Sequence, residues 1–488
     1  YEHGLIILSR TQHINNIAYY LVHITIGGLL AIALMSIAAR YLLPEELGWF
    51  ILAQVYSLIA VGIANLGVLT GYERNFFTYE KDVEKSAQLI SSSLLFVLIN
   101  LLVLLSVIYF YQADITRLII ADNAPNEILF IVLCGSAIAS LTQYYLTFLK
   151  NSSLAKRFMQ FSLLQIFINF SIALFLLSTT SLKSLSLAYA WFFSNAILLT
   201  LLVVVYKKLL TTYSTTLLKE VLSISLPLTP RVFFGFINTQ FDKIMLGMIA
   251  STGLVAIYNI GQMIALTVFQ FMTAMGRVFQ PEVYRKLHAN KQHTHTDEIN
   301  NYILPFFYIS IFVALLIAVF AKEFMLLFFP AEYSGASIVI IVLSIYYAAL
   351  FFGKITGNQL IYAKKTHLTS ALMLVGIVFN VALNIPFIIK WGMLGAAWAT
   401  TISGVMMGFV TYFVAQKYVK IVWQWRTFWS IYAVFSLAVA FAFIESQYLN
   451  MSYYWAIIIK LLLIMLYFTL GFKLQVVTVE KVKRIFKI

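Results

Sequence analysis

Five basic side chains sit deep inside apolar stretches of this chain: Arg231, Lys243, Arg277, Lys354 and Lys460. A charge at the centre of a bilayer costs at least ~2.5–3.5 kcal/mol, so each needs a reason to be there. Guanidinium and ammonium groups are suited to a phosphate or diphosphate, and arginine adds a planar fork for bidentate contact. One carboxylate, Asp242, lies equally deep. It either couples a proton movement or balances Lys243 or a cation on another segment. The excess of cations over this single acid points to a positive interior and an anionic cargo.

Uncharged polar residues accompany the charges in stripes. The stretch 252–282 carries Asn259, Gln262, Gln270, Thr273 and Arg277, which fall on one face at ~100° per helical residue. Arg231, Asn238 and Asp242 share a face of 221–249. The stretch 14–39 holds Asn16, Tyr20, His23 and Gly27, with His13 just before it, and 335–362 holds Tyr347, Lys354 and Asn358. Gln54, Ser57 and Asn65 make a fainter stripe in 47–71. A lipid-facing helix is apolar all round, so a stripe marks a face turned to protein or water. Any single Asn, Gln or Thr is equally well explained as a hydrogen bond between helices. The candidates for lining a substrate cavity are therefore Arg231, Arg277, Lys354, Asn238, Gln262, Gln270, Asn259, His23 and Asn16, with Asp242 as the ion-coupling candidate. No catalytic residue is expected.

The elements that must position these residues are long and apolar. A spanning helix needs ~20 mostly apolar residues. Segments of that kind occupy about 14–39, 47–71, 86–111, 126–149, 158–180, 183–206, 221–249, 252–282, 300–320, 335–362, 366–389, 391–416, 427–445 and 451–474. Composition agrees: 61% hydrophobic, 11% charged, mean hydropathy +0.89. The expected fold class is an all-α polytopic membrane protein with about fourteen transmembrane helices.

Charge sets the orientation. The termini and every second connection hold 23 of the 33 Lys and Arg, while the alternate connections hold five: Arg40, Arg117, Lys183, Lys322 and Lys390. Positive residues remain cytoplasmic, so both termini are expected inside. The net charge of +14 is then a topology signal and implies no nucleic-acid partner. The basic C-terminal tail can also touch anionic lipid. On this topology Arg231, Arg277 and Lys354 fall in the cytoplasmic half of the membrane. Arg277, near Pro281, has snorkelling to the inner interface as a competing explanation, and Lys460 is expected to snorkel.

Other features bound the reading. The single Cys134 permits neither an intrachain disulfide nor a cysteine-based zinc site. No cleavable signal peptide is visible, and a start at Tyr1 suggests that a few residues precede it. His288, His293 and His295 share a loop with Asp297 and Glu298. A solvated loop explains them better than a metal, and no metal is expected. The absence of GxxxxGK[ST] argues against ATP hydrolysis through a phosphate loop. No cofactor is expected.

The chain also repeats itself. A shift of about 208 residues lays the first six segments on the next six. Gly48–Gln54 (GWFILAQ) answers Ala256–Gln262 (AIYNIGQ), and Ala155-Lys156-Arg157 answers Ala363-Lys364-Lys365. Six segments is an even number, so both halves insert the same way up, and a substrate site between such repeats is expected. The expected organisation is an N-terminal lobe (1–220), a C-terminal lobe (221–420), and two further helices with a basic tail (421–488).

Three stretches resemble the polysaccharide exporters of the multidrug/oligosaccharidyl-lipid/polysaccharide superfamily. They are FDKIMLGMIASTGLVAIYNIGQMIALTVFQFMTAMGRVFQPEVYR (241–285), AARYLLPEELGWF (38–50) and FNVALNIPFIIKWGMLGAAWATTIS (379–403). The resemblance covers most of 14–417. It implies a flippase that moves an undecaprenyl-diphosphate-linked oligosaccharide, an O-antigen or capsule repeat unit, from the inner to the outer leaflet of a bacterial inner membrane by alternating access. Membrane lipids, the lipid-linked oligosaccharide, and the polymerase and glycosyltransferases of its pathway are the implied partners. Three other readings can be set against these residues. A multidrug exporter of similar fold commonly carries an acid in helix 1, where this chain has His23. Lipid II as cargo goes with an early arginine cluster, and here helix 1 has only Arg40 at its outer end. A polymerase or glycosyltransferase wants a large external loop or an acidic pair. The adjacent Glu45 and Glu46 follow Pro44 and read as the acidic first turn of a helix.

The orientation has a direct test. Single cysteines replacing Asn123 and His293, in a Cys134→Ala background, are probed in intact cells with an impermeant thiol reagent. Position 123 should label and 293 should not; the reverse pattern would invert the topology.

Overall fold

The fold was analysed in a computed structural model, which describes residues 10–289, 296–449 and 451–476. It consists of helices, with no strand among the described residues. They group into two compact units, through Ala256 and from Ile257 onward.

The first unit holds α1 (Arg10–Tyr41), α2 (Pro44–Asn65), α3 (Val68–Phe76), α4 (Val83–Ile119), α5 (Ile128–Asn151), α6 (Ala155–Thr179), α7 (Ser184–Val205), α8 (Thr215–Ile249) and the start of α9 (Thr252–Ala289). Local chemistry explains where several begin. Pro44 opens α2, and Glu46 in its first turn accepts from the Leu43 N–H at 3.2 Å. Asp82 caps α4 by accepting from the Lys85 N–H at 3.0 Å. This backbone hydrogen bond, with the Lys85 charge, holds the Asp82 carboxyl below the usual aspartate range.

The segment expected as one helix over 47–71 is broken. Leu66 (φ 48°) and Gly67 (φ 68°) are left-handed, and α3 starts anew beyond them. The Thr229 hydroxyl of α8 donates to the Leu66 carbonyl at 2.8 Å, so the break leaves that oxygen satisfied. α8 packs close to α2 and α3 because glycines face it. A Cβ at Gly62 would lie 2.9 Å from Phe236, and one at Gly71 would overlap Ser225.

The second unit holds the rest of α9, α10 (Thr296–Val319), α11 (Ala321–Phe328), α12 (Ala336–Tyr362), α13 (Thr366–Gln416), α14 (Trp425–Gln447) and α15 (Tyr453–Lys473). Among the described residues 13 helices are long and apolar enough to cross a membrane. α13 has 51 residues. At ~1.5 Å rise it is far longer than a ~30 Å hydrocarbon core. It doubles back at Gly392 (φ 56°, ψ −131°), and the Asn380 amide donates to Ser403 at 3.1 Å and Thr400 at 3.3 Å across the hairpin. The hairpin supplies two spans, which restores the expected fourteen. Large apolar side chains along α4, among them Val103 and Phe110, are exposed, as a lipid-facing surface requires. The chain is a multi-pass membrane protein.

The hairpin makes a clear prediction. A Cβ at Gly395 would overlap the Phe387 carbonyl, whereas one at Gly408, further along the same helix, meets nothing within 4 Å. Gly395→Ala should sharply reduce the monodisperse protein recovered by size exclusion in detergent, and Gly408→Ala should leave it unchanged. Gly392→Ala should also be impaired, by ~1–3 kcal/mol of backbone strain.

Candidate functional site

The polar stripe of α9 meets that of α12 in the second unit. The Lys354 ammonium donates to the Thr273 hydroxyl at 3.2 Å and lies 5.8 Å from the centre of the Phe269 ring. Gly276 leaves room for the lysine stem, since a Cβ there would come within 3.3 Å of it. Farther along, the Gln280 amide donates to Asn358 at 3.2 Å and to the Tyr284 hydroxyl at 3.0 Å. Tyr284 stacks on Tyr362. These contacts form a polar seam ~16 Å long at 1.5 Å per residue. Arg277 lies on α9 between Thr273 and Gln280; its side chain is outside the described residues, as is that of Arg231 on α8. Asn259 and Gln262 are half-buried nearer the start of α9, and Gln270 is exposed.

The remaining expected residues fall in the first unit. Asn238 on α8 is exposed, and Asp242 is buried beside Lys243, whose ammonium donates to Gln240 at 3.0 Å. Asn16 and His23 are half-buried on α1. The His23 ring meets Phe158 edge-on at 5.4 Å, and its Nδ1 is enclosed with no hydrogen-bond partner among the described residues. Asn65 proves to be a packing residue: it donates to Ser140 at 3.0 Å and accepts from Tyr144 at 3.2 Å. The histidine loop of 288–295 with Asp297 lies outside the described residues or their side chains.

The first unit also contains a cavity of about 380 Å³ between α1, α2, α5, α6 and α7. Gly27, Leu30, Leu34, Phe50 and Phe170 give it apolar walls, and Gln54, Thr142, Gln143, Gln165, Asn169 and Trp191 bring polar groups. Of these only Gln54 stood out in the sequence. The spacing of Gln165 and Asn169, one helical turn apart, was the one available signal for the others.

Lys460 corrects an expectation. It does not snorkel: it is fully buried and pairs with Glu323, and with Glu445 at 3.1 Å. Lys322 joins at 2.8 Å from Glu445. Two lysines and two glutamates thus tie α11, α14 and α15 together. The other cations expected inside the spans are Arg231, Lys243, Arg277 and Lys354. Besides Asp242, Glu46 at the start of α2 and Glu445 near the end of α14 are buried.

A model of the family described as "Polysaccharide biosynthesis protein" matches residues 14–283, more than half of the 488 residues. The chain belongs to that family. Two relatives agree with it. One is the probable low-salt glycan biosynthesis flippase Agl15 of Haloferax volcanii, 26% identical over 169 residues, which are 35% of this chain and 36% of that protein. The other is the capsular polysaccharide biosynthesis protein CapF of Staphylococcus aureus, 24% identical over 189 residues, 38% of this chain and 47% of that one. The chain thus aligns with less than half of either relative. Among solved structures, the lipid II flippase MurJ in an inward closed conformation matches with a TM-score of 0.72 at 15% identity, over 94% of this chain and 99% of that one. An inward-facing multidrug resistance transporter of the MATE family reaches 0.65 at 16% identity, over 82% and 98%. At such identities the likeness carries the fold. It is the fold to which the three sequence stretches pointed.

The ion-pair network separates two kinds of lysine. Lys460→Met leaves buried carboxylates undercompensated, which costs ~3–5 kcal/mol, so the melting temperature in detergent should fall markedly. Lys322 is 40% exposed in its side chain, and Lys322→Met should change stability by no more than ~1 kcal/mol. Equal melting temperatures for the two variants would show that the network does not anchor α15.

Proposed function

We propose that this protein flips a polyprenyl-diphosphate-linked oligosaccharide, an O-antigen or capsule-type repeat unit, from the inner to the outer leaflet. The observation that carries the reading is the α9–α12 seam, where a cation, Lys354, lies inside a span and donates to the Thr273 hydroxyl, in a chain of the polysaccharide biosynthesis family. Arg277 stands one turn along the same helix and Arg231 on α8. These cations would take the diphosphate, and Asn238, Asn259, Gln262, Gln270, Asn16 and His23 would meet the rest of the cargo.

The transport cycle follows from the repeat. Residues 1–220 and 221–420 act as two lobes that open alternately to either side, with 421–488 appended. By sequence repeat α8 starts the second lobe, yet it packs on α2 and α3 of the first unit. That glycine-lined contact is the seam that would part. Asp242, buried on α8, is the residue we assign to ion coupling. Both termini lie in the cytoplasm of a bacterial cell, and the protein sits in its inner membrane alongside the polymerase and glycosyltransferases of the same pathway.

The phosphate reading predicts that Arg231→Ala with Arg277→Ala abolishes surface polysaccharide while membrane insertion persists. Arg231→Lys should lose less, since charge survives and only the bidentate fork is gone. Normal surface polysaccharide in the double variant would remove the diphosphate from this site.

A further inference from the structure

The cavity of the first unit has no role in the reading above, and its chemistry differs from that of the α9–α12 seam. Its lining contains no charged side chain. Gln54 and Gln143 make no hydrogen bond to the protein among the described residues, and neither amide is sealed off. Gln165 donates to Asn195 at 2.6 Å, which leaves its carbonyl oxygen, and the Asn169 oxygen accepts from Ser194 at 3.5 Å, which leaves its NH₂. Trp191 forms one wall. Its indole N–H is occupied by Ser136 at 3.2 Å, so the ring face is what it offers. Gly135 lets the ring lie against α5, for a Cβ there would sit 2.6 Å from it.

Depth makes these free amides informative. Gln54 is ten residues into α2 and Gln165 ten into α6, so both lie ~15 Å from a helix end at 1.5 Å per residue. At that depth unpaired polar groups are costly unless water or a ligand meets them. A hydrocarbon tail would leave the amides unsatisfied. A diphosphate would want cations, and none line the cavity. A ligand dense in hydroxyls, with an apolar face for the indole, satisfies both. Amides offer donors and an acceptor on one plane, as neighbouring hydroxyls need, and a mostly apolar pocket with a few convergent polar groups is the usual form of a small-molecule site.

We infer that this cavity is a subsite for a neutral saccharide, gripped by Gln54, Gln143, Gln165 and Asn169 and stacked on Trp191. The inference deepens the flippase reading and rests on it for the source of the sugar. It divides the cargo by chemistry: cations for the diphosphate, a neutral amide pocket for glycan.

The test places a benzophenone amino acid at the exposed Gln143, and as a control at the lipid-facing Val103 of α4, in the source cells. After irradiation the full-length protein is purified and its adducts are weighed by mass spectrometry. Position 143 should yield adducts carrying hexose-type mass increments, and position 103 only membrane lipid. Adding Gln54→Leu or Trp191→Leu should lower the saccharide adduct about threefold to tenfold, as expected for one or two lost neutral hydrogen bonds or a lost stacking face. Gln54→Asn, which keeps the amide, should retain more of it. Adducts at 143 no richer in saccharide than those at 103, or no adduct at 143, would overturn the subsite. Saccharide adducts at 143 without a polyprenyl diphosphate would keep the subsite and count against the lipid-linked cargo. A lipid-linked glycan captured by the same probe at Gln270, with none at 143, would do the opposite.

Discussion

Inside a bilayer no water is available to meet a backbone or side-chain polar group, and the whole structure follows from that. Helices satisfy their own backbone. Where this chain breaks a helix it supplies a substitute, as when Thr229 donates to the Leu66 carbonyl at the start of α3. Serines and threonines turn back on the preceding turn, as Ser225 does on Val221 and Thr401 on Ala397. Asn65 finds Ser140 and Tyr144. Against this background, polar groups that the protein does not satisfy by itself carry information. Gln54 and Gln143 have no hydrogen-bond partner among the described residues, and both face one cavity.

Charges obey the same constraint more strictly. The Lys322–Glu445–Lys460–Glu323 network is balanced in charge and joins three helices. Lys183, whose side chain is exposed, pairs with the buried Glu46 at the start of α2 in the first unit. A buried pair is weak evidence for net stability, but removing one partner is costly. Such pairs therefore specify which helices meet. The appended α14 and α15 are held by specific charge contacts as well as by apolar packing.

The fold is shared with solved transporters at only 15–16% identity. Such a fold supplies helix order, and the side chains within it set the cargo. In this chain the cationic seam and the amide-lined cavity lie in separate units. On the proposed function the first would take phosphate and the second the hydroxyls of a lipid-linked glycan.

Much of the architecture was legible in the residues alone. Apolar length gave the fourteen spans, because a bilayer imposes a length on every crossing, and Pro44, Glu45 and Glu46 announced the start of α2. The break at Leu66–Gly67 was not legible, because leucine rarely takes a left-handed conformation and only Thr229 of a distant helix makes it tolerable there. Nor was the pairing of Lys460: a lysine in an apolar helix reads as snorkelling until Glu323 and Glu445, 137 and 15 positions away in the chain, are brought beside it. The stripe on α9 pointed to Thr273, but its meeting with Lys354 depended on how two helices pack. Gln143, Gln165 and Trp191 carried little signal, since a periodic pattern shows that a helix has a polar face and not which other faces converge on it. The sequence by itself determined that this chain crosses a membrane many times and carries positive charge within it. Only the tertiary structure decided which of those charges are neutralised by packing and which polar groups are left facing open space. The physical reason is that a polar residue in lipid reveals its need for a partner, and the partner's identity depends on contacts between segments far apart in the chain.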